Sequence, residues 1–246
     1  MSRLVFGIHP VQELLRRTER PVQELLLAPD SKVGPLVAAA QARGIKVQRT
    51  TRETLDALAG GNTHQGVAAV TGDFPYLDLY GLLERREGTP LLLVVDGVTD
   101  PQNLGAMFRS ALVLGATGVV LTRDRCAAIT ATVVRVSSGA TEHLPCARVT
   151  NLVRAVEELK EAGIWVAAAV EQGGTEPAAT DLTGPLAIVL GNEHKGVRPL
   201  VQRACDLKLT IPALGRIAAL NVASATTALF YEAARQRRQA ARATES

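Results

Sequence analysis

Three short polar clusters in this sequence have residue types suited to holding a ligand. They are rich in glycine, asparagine and other small or polar residues, and they occupy residues 96–109, 190–196 and 211–224. The runs at 91–95, 186–190 and 207–211 precede them and are largely apolar on both alternating faces, which predicts strands buried in a parallel sheet. Because open α/β sheets bind ligands just beyond the carboxyl ends of their strands, the clusters predict a binding site.

The sequence lacks the motifs of several common ligand sites. No Gly-x-Gly-x-x-Gly segment follows the first strand of either predicted domain, which argues against a dinucleotide. Residues 191–196 have the two glycines of a phosphate loop, but Val197 stands where that loop has its lysine, so ATP is not indicated. The four histidines occur singly, without the helical i, i+4 spacing of a metal pair. We therefore expect no metal.

The composition fits a soluble cytoplasmic enzyme. With 246 residues, 47% hydrophobic and 21% charged, the chain can form one large domain or two small ones. Its longest apolar runs, such as 164–170, fall well short of the roughly 20 residues that span a bilayer, and its N-terminus has no signal-peptide pattern. Three widely spaced cysteines argue against a disulfide framework and a paired zinc site. The net charge of +3 is too small to prove a nucleic-acid partner.

Two α/β domains joined by a linker are predicted. Over residues 1–75, apolar runs alternate with helical patterns. Glycine, proline and charged residues then interrupt the pattern and predict a linker at 76–90. Within 91–246, strands are predicted near 91–96, 118–122, 164–170, 186–191 and 207–211, and helices near 103–114, 128–138, 151–162 and 221–239. Strands that alternate with helices in this way favour a parallel sheet.

The three clusters resemble the motifs of the SpoU (TrmH) family of RNA ribose 2'-O-methyltransferases. Motif 1 corresponds to Asp96–Arg109, motif 2 to Leu190–Gly196 and motif 3 to Ile211–Glu232. Other segments resemble the RlmB-like branch, which methylates a guanosine of 23S ribosomal RNA; these are residues 6–10, 64–67, 123–125, 137–142 and 148–152. The resemblance covers nearly the whole chain.

The resemblance implies a fold, a cofactor and partners. Residues 1–75 are expected to form a small L30e-like α/β domain that binds the RNA substrate. Residues 91–246 are expected to form the catalytic domain, a SPOUT-type parallel sheet with a C-terminal trefoil knot. The family uses S-adenosylmethionine as its cofactor and acts as a homodimer with the active site at the interface. We therefore expect 23S ribosomal RNA and a second copy of the chain as partners, and no membrane.

The resemblance also implies site residues. The expected catalytic set is Arg109, Asn103, Glu193 and Asn221, and the expected cofactor-binding set is Val170, Gly191, Asn192, Ile211, Leu220, Asn221 and Ser224. In the family, the residue that matches Arg109 activates the ribose hydroxyl. A free guanidinium has a pKa above about 12, so we expect Arg109 to polarise the hydroxyl or bind the adjacent phosphate, and to act as a base only in a strongly perturbed site.

Other roles compete for three of these residues. Each asparagine offers one acceptor and two donors, and helix capping is the alternative role for both. Asn103 is placed so that it can cap its helix, and for this residue capping is compatible with a role in the site. Glu193 is expected to pair with Arg109 or with the amino group of the cofactor. The alternative for Glu193 is an exposed turn carboxylate beside Lys195.

Motif 3 departs from the family pattern. Where the family has two serines, this chain has Ala219 and Ala223, and Ser224 lies one position late, about 100° round a helix. Two other functions therefore compete with methyl transfer. One is a catalytically weak RNA-binding or ribosome-assembly protein, and the other, favoured by the mild net charge, is an α/β enzyme with a small-molecule substrate.

Basic residues of the first domain are candidates for RNA contact. Arg16, Arg17, Lys46 and Arg49 could bind phosphates, although exposed helix faces explain them equally well. The catalytic domain has its own strands, helices and motifs. We therefore expect it to fold and to bind cofactor without residues 1–75.

Overall fold

The structure, a computed structural model, describes residues 3–85, 88–193, 195–216 and 219–244. The chain divides into two compact units. The first unit comprises Met1–Pro75 and Ala128–His143, and the second comprises Tyr76–Ala127 and Leu144–Ser246.

In chain order, the described residues form the strands β1 Arg3–Phe6, β2 Val22–Leu27, β3 Lys46–Arg49, β4 Val67–Thr71, β5 Leu91–Asp96, β6 Gly118–Thr122, β7 Cys146–Val149, β8 Trp165–Ala169, β9 Leu186–Gly191 and β10 Leu207–Leu209. The helices are α1 Ile8–Arg16, α2 Gly34–Ala42, α3 Arg52–Ala59, α4 Leu79–Glu84, α5 Pro101–Val113, α6 Ala131–Val136, α7 Leu152–Glu161, α8 Pro199–Ala204 and α9 Val222–Thr244. Short 3-10 helices lie at Ala140–Glu142 and Pro177–Ala179.

The first unit is built on a four-stranded sheet in the order β1-β4-β2-β3. β4 runs antiparallel to β1 and β2, and β3 runs parallel to β2. Phe6, Leu26 and Leu55 are buried in its core, and Ala131 of α6 packs against that core. The sequence patterns missed β3, because this edge strand has a single apolar residue among exposed polar ones.

A buried charge cluster ties the segment 128–143 to the rest of the first unit. The carboxylate of Glu142 is fully buried, with Oε1 lying 3.0 Å from Nη2 of Arg3 and Oε2 lying 3.4 Å from Nε of Arg20. Both guanidinium groups stack on the ring of Phe74, at 5.3 and 5.2 Å from its centroid. Burial lowers the pKa of Arg20. The segment was assigned to the catalytic domain from sequence, but these contacts make it part of the first unit.

The second unit contains a six-stranded sheet in the order β10-β8-β9-β5-β6-β7, in which all neighbouring strands are parallel. β5, β6 and β9 are buried along their whole length, as strands covered by helices on both faces should be. The predicted parallel α/β sheet is confirmed. β7 was not predicted, because Arg148 interrupts its few apolar residues and leaves no continuous apolar run.

Much of the stretch predicted as a linker, 76–90, packs within the second unit. Leu77 exchanges backbone hydrogen bonds with two residues of β7, at 2.9 and 3.0 Å. α4 follows and buries Leu79 and Leu82 in the core of the unit. The leucines explain the difference, because burying such side chains stabilises each by about 1.5–3 kcal/mol relative to exposure.

The C-terminal helix α9 is fixed to the second unit by apolar and polar contacts. Leu229, Phe230 and Ala233 are buried. The guanidinium of Arg237, whose pKa is lowered by burial, donates hydrogen bonds at 2.6–3.3 Å to the backbone carbonyls of Thr89, Pro90, Leu182 and Gly184. The trefoil knot stays a prediction.

Candidate active site

The three motifs begin at one edge of the parallel sheet. Asp96 ends β5, Gly191 ends β9, and the two residues are register partners in adjacent strands. β8 lies between β9 and β10, and it ends one residue before Val170, while β10 ends two residues before Ile211. The carboxyl ends of these strands therefore bring the motif loops together, as the sequence predicts.

A chain of side-chain hydrogen bonds joins the motifs. Nδ2 of Asn221 donates to Oδ1 of Asn103 at 3.0 Å, and Nδ2 of Asn103 donates to Oε1 of Glu193 at 2.7 Å. Motif 3, motif 1 and motif 2 each contribute one residue. The structure thus links three of the four expected catalytic residues.

The two asparagines differ in their capping roles. Asp100 is the N-cap of α5, and its carboxylate accepts a hydrogen bond from the backbone amide of Gln102 at 2.9 Å. The capping role considered for Asn103 is not observed, because Asn103 lies inside the first turn and its side chain bonds to the other motifs. Asn221 does both: its Oδ1 accepts from the backbone amide of Ala223 at 2.9 Å, which caps α9, while its Nδ2 reaches Asn103.

Arg109 lies outside this hydrogen-bond chain. It is exposed on α5, and no hydrogen bond or ion pair engages its guanidinium within the described ranges of the chain. Of the two partners considered for Glu193, Arg109 is not paired with it, since the carboxylate accepts a hydrogen bond from Asn103; the pairing with the amino group of the cofactor stays a prediction. The neighbouring Ser110 shares a hydrogen bond of 2.8 Å with Thr227 of α9. The guanidinium is therefore accessible to a molecule from solution.

The motif 2 loop folds back on itself so closely that position 191 requires glycine. A Cβ atom built on Gly191 would lie 2.0 Å from the backbone carbonyl carbon of Gly196. Asn192 and Gly196 exchange backbone hydrogen bonds at 2.8 and 3.2 Å, and Nδ2 of Asn192 donates to the carbonyl of Gly97 at 3.0 Å. The loop's own packing thus explains this glycine, and its part in cofactor binding stays a prediction.

Asp96 is a positioning residue that sequence reasoning left without a role. Its carboxylate is buried and accepts hydrogen bonds from the backbone amide of Arg198 at 2.9 Å and from Nε of Arg198 at 2.7 Å. It therefore ties the start of motif 1 to the residues that follow motif 2. A lone acidic residue ending an apolar strand was the available signal, because acidic side chains are rarely buried unless paired.

The residues expected to hold the cofactor have chemistry that suits an adenosine group. Residues 212–216 and 219–221 are exposed, and no backbone hydrogen bond engages 211–216 within the described part of the chain. Such N–H and C=O groups can recognise the donors and acceptors of an adenine edge. Leu220 exposes 54% of its surface as an apolar contact, and Ser224 is exposed on the first turn of α9. This donor set fits a nucleoside cofactor.

Comparison with known protein families agrees with this geometry. The family described as SpoU rRNA Methylase matches residues 90–231, which include the three motifs almost entirely. The chain belongs to the SpoU rRNA methylase family. A second family, described as RNA 2'-O ribose methyltransferase substrate binding, matches residues 4–77.

Similar SpoU proteins match over nearly their whole length. The 23S rRNA (guanosine-2'-O-)-methyltransferase RlmB of Shewanella oneidensis is 40% identical over 241 residues, covering 96% of this chain and 98% of that protein. Its counterpart from Yersinia pestis is 39% identical over 243 residues, with the same coverage. The SpoU methyltransferase AviRb from Streptomyces viridochromogenes, solved in complex with the cofactor AdoMet, has a TM-score of 0.80 at 29% identity and covers 96% of this chain and 91% of its own.

Three other features of the described residues concern a metal site, reactive cysteines and a membrane-spanning helix. Among the described residues, no three His, Cys, Asp or Glu side chains are grouped so that they could hold a metal ion. Burial raises the pKa of Cys126 and of Cys205 to about 12 and raises that of Cys146 well above its usual value, so these thiols stay protonated near neutral pH. No helix in the described ranges is both long and apolar enough to cross a bilayer.

Proposed function

We propose that this protein transfers a methyl group from S-adenosylmethionine to the ribose 2'-hydroxyl of a guanosine in 23S ribosomal RNA. The hydrogen bonds that join Asn221, Asn103 and Glu193 carry the proposal, because they gather one residue from each motif at the ligand-binding edge of the sheet. The choice of a guanosine in 23S rRNA as substrate rests on the RlmB relatives, which are named for guanosine 2'-O-methylation of 23S rRNA.

Arg109 would act on the acceptor ribose. Its exposed guanidinium, which has no ionic partner among the described residues, offers five N–H donors in a fixed plane. A guanidinium rarely gives up its proton, so we assign Arg109 to polarising the 2'-hydroxyl and binding the adjacent phosphate. As the new O–C bond forms and the bond between sulfur and the methyl carbon breaks, the hydroxyl proton would pass to solvent water, which reaches this exposed position.

The bound cofactor supplies an electrophilic methyl group on a sulfonium. The residues that would hold it are Val170, Gly191, Asn192, Ile211, Leu220, Asn221 and Ser224. The exposed main chain near Ile211 would meet the adenine, and Asn221 and Ser224 would meet the methionine portion. Methyl transfer depends above all on in-line placement of the hydroxyl and the methyl group, so the main contribution of these residues is orientation.

The protein would act as a homodimer in the cytoplasm, where it meets ribosomal RNA. Val113 on α5 exposes 76% of its surface and Tyr231 on α9 exposes 52%. These helices also carry Arg109 and the cap residue Asn221, and exposed apolar side chains beside a site suit an interface with a second copy. Sedimentation velocity should give the mass of a dimer, and Tyr231→Glu should give monomers without methyl transfer.

A catalytically weak RNA-binding protein is the second candidate. Ala219 and Ala223 place methyl groups where the family has serine hydroxyls, and Ser224 projects from the next position of α9. If the missing hydroxyls limit the reaction, Ala223→Ser should raise the rate of methyl transfer without changing RNA affinity.

One assay separates the two candidates. Purified protein is incubated with an unmodified 23S rRNA transcript and S-adenosylmethionine carrying a labelled methyl group, and the nucleosides are then analysed by mass spectrometry. We expect label in 2'-O-methylguanosine at one site, and none with Arg109→Ala. Cofactor and RNA binding without methyl transfer would support the weak candidate, and no cofactor binding by calorimetry would contradict the proposed function.

A further inference from the structure

A basic surface of the second unit is not used by the site described above. It consists of Arg123, Arg125, Arg148 and Tyr76, and we name it the β6–β7 surface, because Arg123 and Arg125 follow β6 while Arg148 lies in β7. Arg123 and Arg125 are exposed. Arg123 and Arg125 follow the end of β6, at the same carboxyl edge of the sheet as motif 1.

The turn after β6 lies directly against motif 1. The backbone amide of Ala127 donates to the carbonyl of Val98 at 2.9 Å. A Cβ atom built on Gly97 would lie 3.5 Å from the carbonyl oxygen of Arg125. An RNA strand held by the β6–β7 surface would therefore pass close to the loop that leads to Asn103.

Among the residues that the structure describes, no carboxylate forms an ion pair with an arginine of this surface. Within the part of the chain that the structure describes, no ion pair engages Arg123, Arg125 or Arg148, and Asp124 between the first two pairs with neither. The four basic residues of the first domain that are candidates for RNA contact already have partners. The ion pairs are Arg16 with Glu13, Arg17 with Glu19 and Lys46 with Glu24, and Arg49 donates a hydrogen bond to the carbonyl of Pro29.

Local contacts hold the β6–β7 surface in shape. The guanidinium of Arg148 lies 4.6 Å from the ring centroid of Tyr76, and its Nη2 donates to the carbonyl of Arg123 at 3.0 Å. One hydrogen bond leaves most of the five guanidinium N–H donors available. Arg125 has a φ of 60°, a left-handed conformation that costs a non-glycine residue energy and is enriched at functional sites.

We propose that the β6–β7 surface binds the phosphate backbone of the substrate RNA beside the target nucleotide. This proposal rests on the proposed function, since it takes the methylation substrate as the ligand. Guanidinium groups without an ionic partner are suited to binding phosphate, because their planar N–H donors can bind two phosphate oxygens at once. The methyltransferase unit would thus contribute its own RNA affinity, independent of residues 1–75.

The test compares the double variant Arg123→Gln/Arg125→Gln with Arg154→Gln, a control that removes an exposed arginine already paired with Glu158 at 2.8 Å. Fluorescence anisotropy with a 23S rRNA fragment is measured at several salt concentrations. We expect the double variant to lose RNA affinity about tenfold, with a salt slope smaller by about 1.5 because two phosphate contacts are gone. Lysine at both positions should restore most of the affinity, and the control should match the unaltered protein.

Two further measurements separate this proposal from the proposed function. Calorimetry with S-adenosylmethionine should give equal affinities for all variants, and the double variant should raise the KM for RNA while leaving kcat unchanged. If the unaltered protein transfers no methyl group, the proposed function fails, yet the anisotropy comparison still decides whether the surface binds RNA. Equal RNA affinity and equal salt slope in the double variant and the control would overturn the proposal.

Discussion

Asn221 donates a hydrogen bond to Asn103 across 118 residues of sequence, with 3.0 Å between Nδ2 and Oδ1. Asn103 passes the connection on, since its own Nδ2 bonds to Glu193. Each amide in this chain uses its donor and its acceptor in a defined direction, so a residue without both groups cannot replace it. The loops of all three motifs are therefore positioned together.

Asn221→Ala should weaken S-adenosylmethionine binding and destabilise the protein by about 1 kcal/mol, because both the α9 cap and the bond to Asn103 are lost. Asn221→Asp is the matched variant. It keeps a capping oxygen but loses the donor to Asn103, so we expect near-normal stability with weakened cofactor binding. Calorimetry and urea denaturation measure the two effects, and unchanged cofactor affinity in both variants would place the pocket elsewhere.

Arg109→Ala should abolish methyl transfer while leaving stability and cofactor affinity nearly intact. The reason is that its exposed guanidinium has no partner among the described residues whose loss would disturb the fold. Arg109→Lys keeps the charge without the planar donors and should restore RNA binding more than turnover. Full activity of the alanine variant on RNA would contradict the role assigned to Arg109.

Glu142→Gln should destabilise the first unit by about 3 kcal/mol, because it leaves Arg3 and Arg20 without a buried counter-charge. Glu158→Gln, which breaks the exposed pair with Arg154, is the control and should cost less than about 0.5 kcal/mol. Urea denaturation followed by circular dichroism compares them. Similar losses for both variants would mean that the buried cluster contributes no more than a surface pair.

An ion pair within α9, between Glu232 and Arg235, should lose its stabilising effect in acid. Hydrogen bonds from Arg235 hold the pKa of the Glu232 carboxyl at about 2, helped by Gln236 and opposed by burial. Because this folded pKa lies below the unfolded value of about 4.3, the stabilisation is complete above about pH 5 and is lost as the pH falls towards 2. Glu232→Gln should cost about 1 kcal/mol at pH 7, and its stability should approach that of the unaltered protein near pH 2. Thermal unfolding of Glu232→Gln and of the unaltered protein is measured from pH 7 to pH 2. A stability difference that stays constant over this range would contradict the role assigned to the Glu232 carboxylate.

The sequence predicted the strands that are apolar runs and the helices with a clear apolar pattern. It missed the elements whose residues show no such pattern. The buried strands β5 and β9 are almost continuous apolar runs, whereas charged or polar residues interrupt β3 and β7. The sequence correctly predicted that the three motifs meet, because the carboxyl ends of parallel strands lie at one edge of the sheet. The hydrogen-bond partners of Asn103 could not be predicted from the sequence. Capping a helix and bonding to a distant residue use the same side-chain groups, so the folded structure is needed to distinguish them.

The chain passes between the two units three times, after residues 75, 127 and 143. The units are therefore not separable modules in series, and an exchange of N-terminal halves between related proteins would have to carry 128–143 along with 1–75. A single protease nick near residue 76 should leave a product that keeps its native mass on gel filtration, because Arg3 on one fragment still binds Glu142 on the other. Only a denaturant would release the two pieces.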